Sequence, residues 1–508
     1  MDKEKQLGSA LISVYHKDNL DEILARLHQL GVSLISTGGT ADFIESLSLP
    51  VQRVELLTGY PSILGGRVKT LHPKVFGGIL ARRDNESDRE SLKTWDIPEI
   101  DLVIVDLYPF EQTVASGASL PEIIEKIDIG GISLIRAAAK NYEDVLIVPS
   151  RDYYAKLTEL LEVKAGVTTL ADRFEFASAA FAVSSGYDCA ISNYLGGDSA
   201  QNFRSAASPG NTLRYGENPH QKGTFYGNLN QLFEQIHGKE ISYNNLLDVD
   251  AALSLIDEFD EPTFGIIKHN NACGIASSES LTDAWRMALQ ADPVSAFGGI
   301  LVTNQPIDAQ TAEEINTLFF EIIIAPGYSE RALTFLKLKK NRIILIRKPG
   351  FSASKVQYRS LLNGVLQQDR DLHREKAEEL RTVTLTAPTA AQVDDLLFAN
   401  KLVKHTKSNA IVLVKNRQLL ASGTGQTSRV DSLKQAIEKA KNFGFDLEGS
   451  VMASDAYFPF ADSVEIAHQA GVAAVIQPGG SVRDQDTIDY CNTNGVSMVF
   501  TGIRHFKH

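Results

Sequence analysis

Cysteine is scarce: Cys189, Cys273 and Cys491 are the only three among 508 residues. An odd number at wide spacing argues against a disulfide framework and for a reducing compartment, here expected to be the cytoplasm. No C-x-x-C pair occurs, so no zinc or other metal site is expected. Long apolar runs are missing as well. None approaches the roughly 18–20 residues that cross a membrane. Residues 1–15 (MDKEKQLGSALISVY) begin with charge, and their short apolar stretch reads as a first strand rather than the core of a signal peptide. Positive charge is in deficit, with a net charge of −13, which disfavours non-specific binding to nucleic acid or anionic lipid. Cations that cluster in such a chain point instead to a small anionic ligand. What is present, 43% apolar and 22% charged residues, describes a soluble globular protein. The length suits two to four domains.

The chain opens as an α/β unit. Residues 9–16 (SALISVYH) read as a strand. Asp18 and Asn19 can cap a helix carrying Leu20, Ile23, Leu24, Leu27 and Leu30, which ends at Gly31. A strand at 32–36 runs into Thr37-Gly38-Gly39-Thr40. Residues 101–107 (DLVIVDL) and 144–148 (DVLIV) read as buried strands, with a helix at 132–141 between them. In an open parallel sheet ligands sit beyond the carboxyl ends of the strands, and residues 37–40, Tyr108 and His16-Lys17 all follow strand ends. Residues 165–194 read as helical. Residues 197–211, rich in Gly, Ser, Ala and Asn, read as a linker. This gives domains at 1–196 and 212–508. The second alternates strands, at 265–268, 300–303, 322–325, 343–346, 411–414, 473–476 and 497–500, with helices. The charged stretch 372–381 reads as a solvated helix or connector, dividing this region near 365–385 into two α/β lobes. Similar lobe layouts would mean an internal duplication, although no sequence identity between the lobes is evident.

The densest chemistry lies in GRVKTLHP at 66–73, where Arg67, Lys69, Thr70 and His72 stand between Gly65-Gly66 and Pro73. A short basic turn is usually just solvated. That explains Lys69 alone, but not Arg, Lys, Thr and His together beside two glycines. Loops carry function disproportionately; Arg grips oxyanions bidentately and Lys serves as a point charge. Residues 37–40 are either a plain turn or, with Lys17, a phosphate cradle in which a helix start offers its N–H groups. Tyr108, Asp128 and Lys140 each have a bland reading: a packed aromatic, a helix cap, and a cation at a helix C-terminus. As a set with Lys69 they become acid–base and oxyanion groups.

A second group lies downstream. Residues 214–221 (RYGENPHQ) are polar, aromatic and without core periodicity. Lys268-His269 ends the strand GIIKH before Asn270 and Asn271. The neighbouring cation disfavours His269 protonation and suits it to act as a base near neutral pH. Cys273 reads as a buried thiol rather than a nucleophile. Glycines beside single aromatics, at 295–299 (SAFGG) and 456–460 (AYFPF) with 423–429 (GTGQTSR), let a flat ring approach the backbone. Asn409 offers neutral hydrogen bonds, and Arg429 and Arg504 suit a phosphate or carboxylate. Taken singly, each of these is more often a turn or core residue.

GGRVKTLHPKVFGGIL, IDIGGISLIRAAAKN, LRYGENPHQ, KHNNACG, DPVSAFGG, IAPGY, SGTGQTSR and QPGGSVRD together resemble the bifunctional purine-biosynthesis family, which combines AICAR transformylase with IMP cyclohydrolase; the likeness runs over essentially the whole chain. The resemblance implies a methylglyoxal-synthase-like parallel-sheet domain first, closing FAICAR to IMP with loss of water. Two cytidine-deaminase-like α/β lobes would follow, without the zinc ligands of the deaminases, transferring a formyl group from 10-formyltetrahydrofolate to the 5-amine of AICAR. By that likeness Lys17, Thr37, Gly38, Gly39, Thr40, Arg67 and Thr70 hold the ribotide of the cyclohydrolase, and Lys69, Tyr108, Asp128 and Lys140 are catalytic. Lys268, His269 and Asn409 are catalytic in the transformylase. Arg214, Tyr215, Gly298, Glu321, Arg429 and Arg504 contact AICAR, while Phe297, Val430, Tyr457, Phe458, Pro459, Gly479 and Gly480 border the folate. The family is dimeric, with transformylase sites shared between subunits. Tyr15-His16, Asp106, Ala272 and Ala461 depart from the family pattern: Ser-Asp before Lys17, Asn at 106, Pro at 272 and Arg at 461 are the usual residues.

Overall fold

The computed structural model describes residues 3–197, 202–207, 210–350 and 354–508. The chain divides into two compact units, Met1–Ala207 and Ser208–His508. Part of the expected linker, at 198–201 and 208–209, lies outside the described residues.

The first unit is built on strands β1 (Ser9–Val14), β2 (Ser33–Ser36), β3 (Gln52–Arg53), β4 (Leu102–Asp106) and β5 (Leu146–Val148). They form one parallel sheet in the order β3-β2-β1-β4-β5. Helix α1 (Leu20–Gln29) joins β1 to β2, and α2 (Gly38–Ser46) joins β2 to β3. Helix α3 (Gly130–Lys140) precedes β5, and the long α4 (Leu170–Gly196) closes the unit. The strands are apolar on both faces because both are covered. Ile12, Ile104 and Val148 pack with Leu20, Leu24 and Leu27 of α1, whereas Leu11, Val103 and Ile147 pack with Leu134 and Ala138 of α3 and Ala177 of α4. The strand order reverses between β1 and β4, and this is where an open α/β sheet leaves a crevice at its carboxyl edge.

The second unit holds a twelve-stranded sheet made of two copies of one layout. In the first, edge strand β6 (Phe233–His237) and α5 (Tyr243–Ile256) lead into the hairpin β7 (Thr263–Lys268)–β8 (Asn271–Ser277). Then come α6 (Leu281–Ala291), β9 (Ile300–Thr303), α7 (Ala309–Ile315), β10 (Ile322–Ala325), α8 (Glu330–Leu336) and β11 (Ile343–Arg347). The second repeats this with β12 (Arg381–Thr382), α9 (Ala390–Lys404), hairpin β13 (Ile411–Lys415)–β14 (Gln418–Gly423), α10 (Arg429–Asn442), β15 (Ser450–Ser454), α11 (Asp462–Gln469), β16 (Val472–Gln477), α12 (Asp484–Asn494) and β17 (Ser497–Phe500). The order β6-β11-β10-β9-β7-β8-β14-β13-β15-β16-β17-β12 reads the same from either edge under that equivalence. The halves join at Ala276 and Gln418, where β8 meets β14 antiparallel. One core continues across the join, with side chains of both α5 and α9 in it together with Ile267, Val302, Val412 and Ile476. The duplication is therefore present in the fold.

Of the two readings of residues 372–381 the connector holds, and one hairpin is added. Residues 372–381 form no α-helix; they hold a 3₁₀ turn, Ala377–Glu379, and the start of edge strand β12. Most of their side chains are exposed, as a solvated connector's would be, but Glu375 bonds the buried His505, and Arg374 approaches the buried Glu258. The hairpin Val356–Leu361 with Gly364–Asp369 was also not expected from the sequence.

Candidate active sites

In the first unit, Thr37 ends β2 in extended backbone and α2 starts at Gly38, so the first N–H groups of α2 face the crevice without a side-chain cap. Gly38 and Gly66 have positive φ, and a Cβ at either would collide with the Lys69 side chain, at 2.8 Å from Nζ and 2.2 Å from Cε respectively. Lys69 therefore lies across both glycines, beside the 37–40 turn. Thr40 Oγ1 donates to the Val14 carbonyl at 3.0 Å, and Lys17 Nζ donates to the same oxygen at 2.6 Å. Burial lowers the Lys17 pKa, opposed by the charge of Asp106. Thr70 Oγ1 stands within contact of Gly130 at the start of α3, and Asp128 accepts from the Gly131 N–H at 2.6 Å. Tyr108 is exposed, its ring edge-on to Tyr15 at 5.5 Å, with Lys126 over both rings.

The structure thus brings Lys17, residues 37–40, Lys69, Thr70, Tyr108 and Asp128 to one crevice. It does not bring two others there. Arg67 turns outward to pair with Glu125. Lys140 ends α3 at the opposite end from Asp128, about 16 Å along eleven helical residues. It lines a separate hollow of about 730 Å³ with Arg136, Phe76, Phe174 and Phe181. His72 caps the helix Pro73–Leu80, accepting from the Lys74 N–H at 3.1 Å. Glu55, not singled out in the sequence, accepts from Thr37 Oγ1 at 3.1 Å.

In the second unit, Lys268 ends β7, and residues 269–270 form a two-residue turn with φ of 52° and 63°. This backbone is rare for side-chain-bearing residues. The Asp248 carboxylate on α5 holds it by accepting from the Asn270 N–H at 2.6 Å. Lys268 Nζ donates to the Phe297 carbonyl at 2.7 Å. A cleft of about 510 Å³ is lined by Arg214, Tyr215, Lys268, His269, Gly298 and Glu321 together with Lys239, Asn245 and Asp248. Glu321 pairs with Lys239 at 2.9 Å. The last three escaped the sequence reading because no motif marks them. For Asn245 and Asp248 the signal is polar spacing in the first half of helix α5; Lys239 lies before that helix and has none.

Asn409, Arg429 and Tyr457 form another cluster in the second half. The Arg429 guanidinium donates to Asn409 Oδ1 at 3.0 Å, to the buried Asp455 at 2.8 Å and to the Tyr457 carbonyl at 3.2 Å. Tyr457 and Pro459 are exposed beside it, Gly480 is exposed on the loop after β16, and Val430 is half-buried. Phe458 is fully buried in the core, and its N–H donates to Gln477 Oε1 at 3.3 Å. A Cβ on Gly479 would meet Phe500 at 2.4 Å. Arg504 lies exposed over Phe506 after β17. Phe297 stands in the first half, its ring tilted against Phe319 at 5.0 Å. Among the described residues no group of three His, Cys, Asp or Glu is set to hold a metal.

The family profile described as the AICARFT/IMPCHase bienzyme matches residues 138–439, well over half the chain, and an MGS-like domain profile matches 19–133. The chain belongs to the AICARFT/IMPCHase bienzyme family. The Bifunctional purine biosynthesis protein PurH of Bacteroides thetaiotaomicron is 63% identical over 508 residues, covering 100% of both chains. The PurH proteins of Aquifex aeolicus and Persephonella marina are each 47% identical, over 98% of this chain and 100% and 99% of theirs. In the terms of the family, the MGS-like match falls on the unit that carries the Lys69 crevice, and the Lys268-His269 cleft lies inside the bienzyme match.

Proposed function

We infer that this bienzyme catalyses the last two steps of IMP synthesis. It transfers the formyl group of 10-formyltetrahydrofolate to the 5-amine of AICAR, then closes the FAICAR product to IMP with loss of water. The observation that carries the reading is two separate cationic clusters, each in its own unit, in a chain that matches bifunctional relatives end to end.

For formyl transfer, the AICAR amine is a weak nucleophile because its lone pair is conjugated into the imidazole. It must lose a proton as it attacks the formyl carbon, and the tetrahedral oxyanion must be held. We assign the proton to His269, which the turn at 269–270 aims into the cleft, and the oxyanion charge to Lys268. Collapse breaks the bond to folate N10, which takes up the proton. Arg214, Tyr215, Gly298 and Glu321 hold the ribotide from the same cleft. Asn409, Arg429 and Arg504, with the folate border of Phe297, Val430, Tyr457, Phe458, Pro459, Gly479 and Gly480, are assigned from the family resemblance. So is a homodimer in which subunits share these sites, working in the cytoplasm.

For ring closure, the carboxamide nitrogen attacks the formyl carbon and the formyl oxygen leaves as water. Asp128 is the proposed base for the amide proton, Lys69 stabilises charge on the formyl oxygen, and Tyr108 borders the ring. The start of α2 with Lys17, Thr37, Gly38, Gly39, Thr40 and Thr70 takes the phosphate; Arg67, which pairs with Glu125 instead, is assigned to it from the family resemblance alone. Lys140 is proposed from the resemblance alone, and retention of ring closure by Lys140→Ala would remove it. The deciding test is His269→Ala, assayed on both reactions. Formyl transfer should be abolished while added FAICAR is still converted to IMP; loss of both activities would refute separate sites.

A further inference from the structure

His16 and Asp106 meet across the reversal point between β1 and β4. Asp106 ends β4 directly opposite Val14 in the sheet register. One of its carboxylate oxygens, Oδ2, lies 2.9 Å from the His16 N–H and 2.8 Å from His16 Nδ1. An ionised carboxylate only accepts, so Nδ1 carries the proton. Val14 is the residue whose backbone holds both Thr40 and Lys17. Asp106 is almost fully buried and stands at the rim of the crevice that the first helical turn of α2 prepares for a phosphate. An uncompensated carboxylate there repels a dianion, and a buried charge is screened less than an exposed one.

We propose that His16 is a positioning and specificity residue whose task is to compensate Asp106, keeping the phosphate crevice attractive to the ribotide. This rests on the assignment of the first unit as the cyclohydrolase. Two donors from one residue, the backbone N–H and Nδ1, hold the same carboxylate oxygen on the His16 side. The pair also sets the aromatic wall. The Tyr15 ring stands edge-on to His16 at 4.8 Å and to Tyr108 at 5.5 Å. Lys126 lies 4.9 Å above the Tyr15 ring. Among the described residues His16 is the one side chain found hydrogen-bonded to Asp106, so removing it leaves the carboxylate only the longer-range charge of Lys17.

The test is a double-mutant cycle on FAICAR ring closure with the full chain. His16→Ala should raise the KM for FAICAR about tenfold while kcat changes little, because a charge at the phosphate rim acts on binding. Adding Asp106→Asn to His16→Ala should bring KM back to within about threefold of the parent, since the unbalanced charge is then gone. IMP affinity by calorimetry should follow the same order, and formyl transfer in the same preparations reports folding. A double variant as weak as His16→Ala, or a His16→Ala KM equal to the parent's, overturns the proposal. Failure of the parent chain to close FAICAR would refute the assignment of the unit, while the IMP titrations would still decide whether the pair compensates charge.

Discussion

Asp128 serves two purposes at once. It caps α3 through the Gly131 N–H, as a plain helix cap would, and it faces the crevice. Burial raises its pKa, the Gly131 and Tyr108 N–H groups pull it back, and the charge of Asp106 raises it again, for a net upward shift. A base with a raised pKa loses activity on acidification sooner than an ordinary carboxylate. The ring-closure rate should therefore fall on the acid side at a pH above the usual Asp range, and Asp128→Asn should remove activity by at least about a hundredfold. A pH–rate profile with no acid limb above that range would exclude Asp128 as the base. Cys273 illustrates the converse: burial, with the nearby Asp292 charge, pushes its thiol up to about 12. It is inert at neutral pH, as its apolar setting in the sequence indicates.

At the scale of elements, the two hairpins of the second unit act as an internal control. Each turns through two left-handed residues, 269–270 and 416–417, and each has a bulge one residue before the end of its first strand. The sixth residue of the preceding helix is an aspartate in both. Asp248 accepts from the Asn270 N–H, and Asp395 from the N–H groups of Asn416 and Arg417 at 2.8 and 2.7 Å. The aspartate is thus the device that holds a strained turn, and only the first turn carries a lysine and a histidine into a cleft. Asp395→Ala should cost about 1–3 kcal/mol of stability by denaturant unfolding, with formyl transfer per folded molecule unchanged. Asp248→Ala should cost a similar amount and also slow formyl transfer by about ten- to a hundredfold, because a misplaced base loses its geometry. Equal activities in the two variants would show that the turn at 269–270 needs no support.

For the molecule as a whole, charge buried in the second unit ties its halves and its connector together. Glu258, just after α5, accepts from Lys404 and bonds His405 at the end of α9, both at 2.9 Å. Glu258→Ala leaves Lys404 buried without its anion and should cost about 3–5 kcal/mol, read as a lowered denaturant midpoint. His505 lies between Asp371 at 2.5 Å and Glu375 at 2.7 Å. Burial works against its charge, but the two carboxylates raise its pKa from 6.5 to about 9, and theirs are lowered in turn. A raised folded-state pKa gives stability that is complete below pH 6.5 and lost as pH rises toward 9. The lowered carboxylates give stability present above their ordinary range and lost on acidification. Unfolding midpoints of the full chain should fall between pH 6.5 and 9, and His505→Gln should flatten that slope; an unchanged slope would assign it to other groups.

The sequence by itself determined the apolar strands, the amphipathic α1 and the glycine-rich turn at 37–40, because each depends on spacing within a few residues. The same local logic marked Lys69 and Lys268-His269, where polar groups crowd beyond what a solvated turn requires. The tertiary structure decided everything that depends on residues far apart in the chain. It drew Glu375 and Arg374, in an otherwise exposed charged stretch, to His505 and Glu258, partners far away in the chain. It set Lys140 at the far end of α3 from Asp128, since an eleven-residue helix separates its ends whatever motif it carries. It matched Asp248 to the turn at 269–270 and His16 to Asp106, pairs that become neighbours only when the strand order of each sheet is fixed.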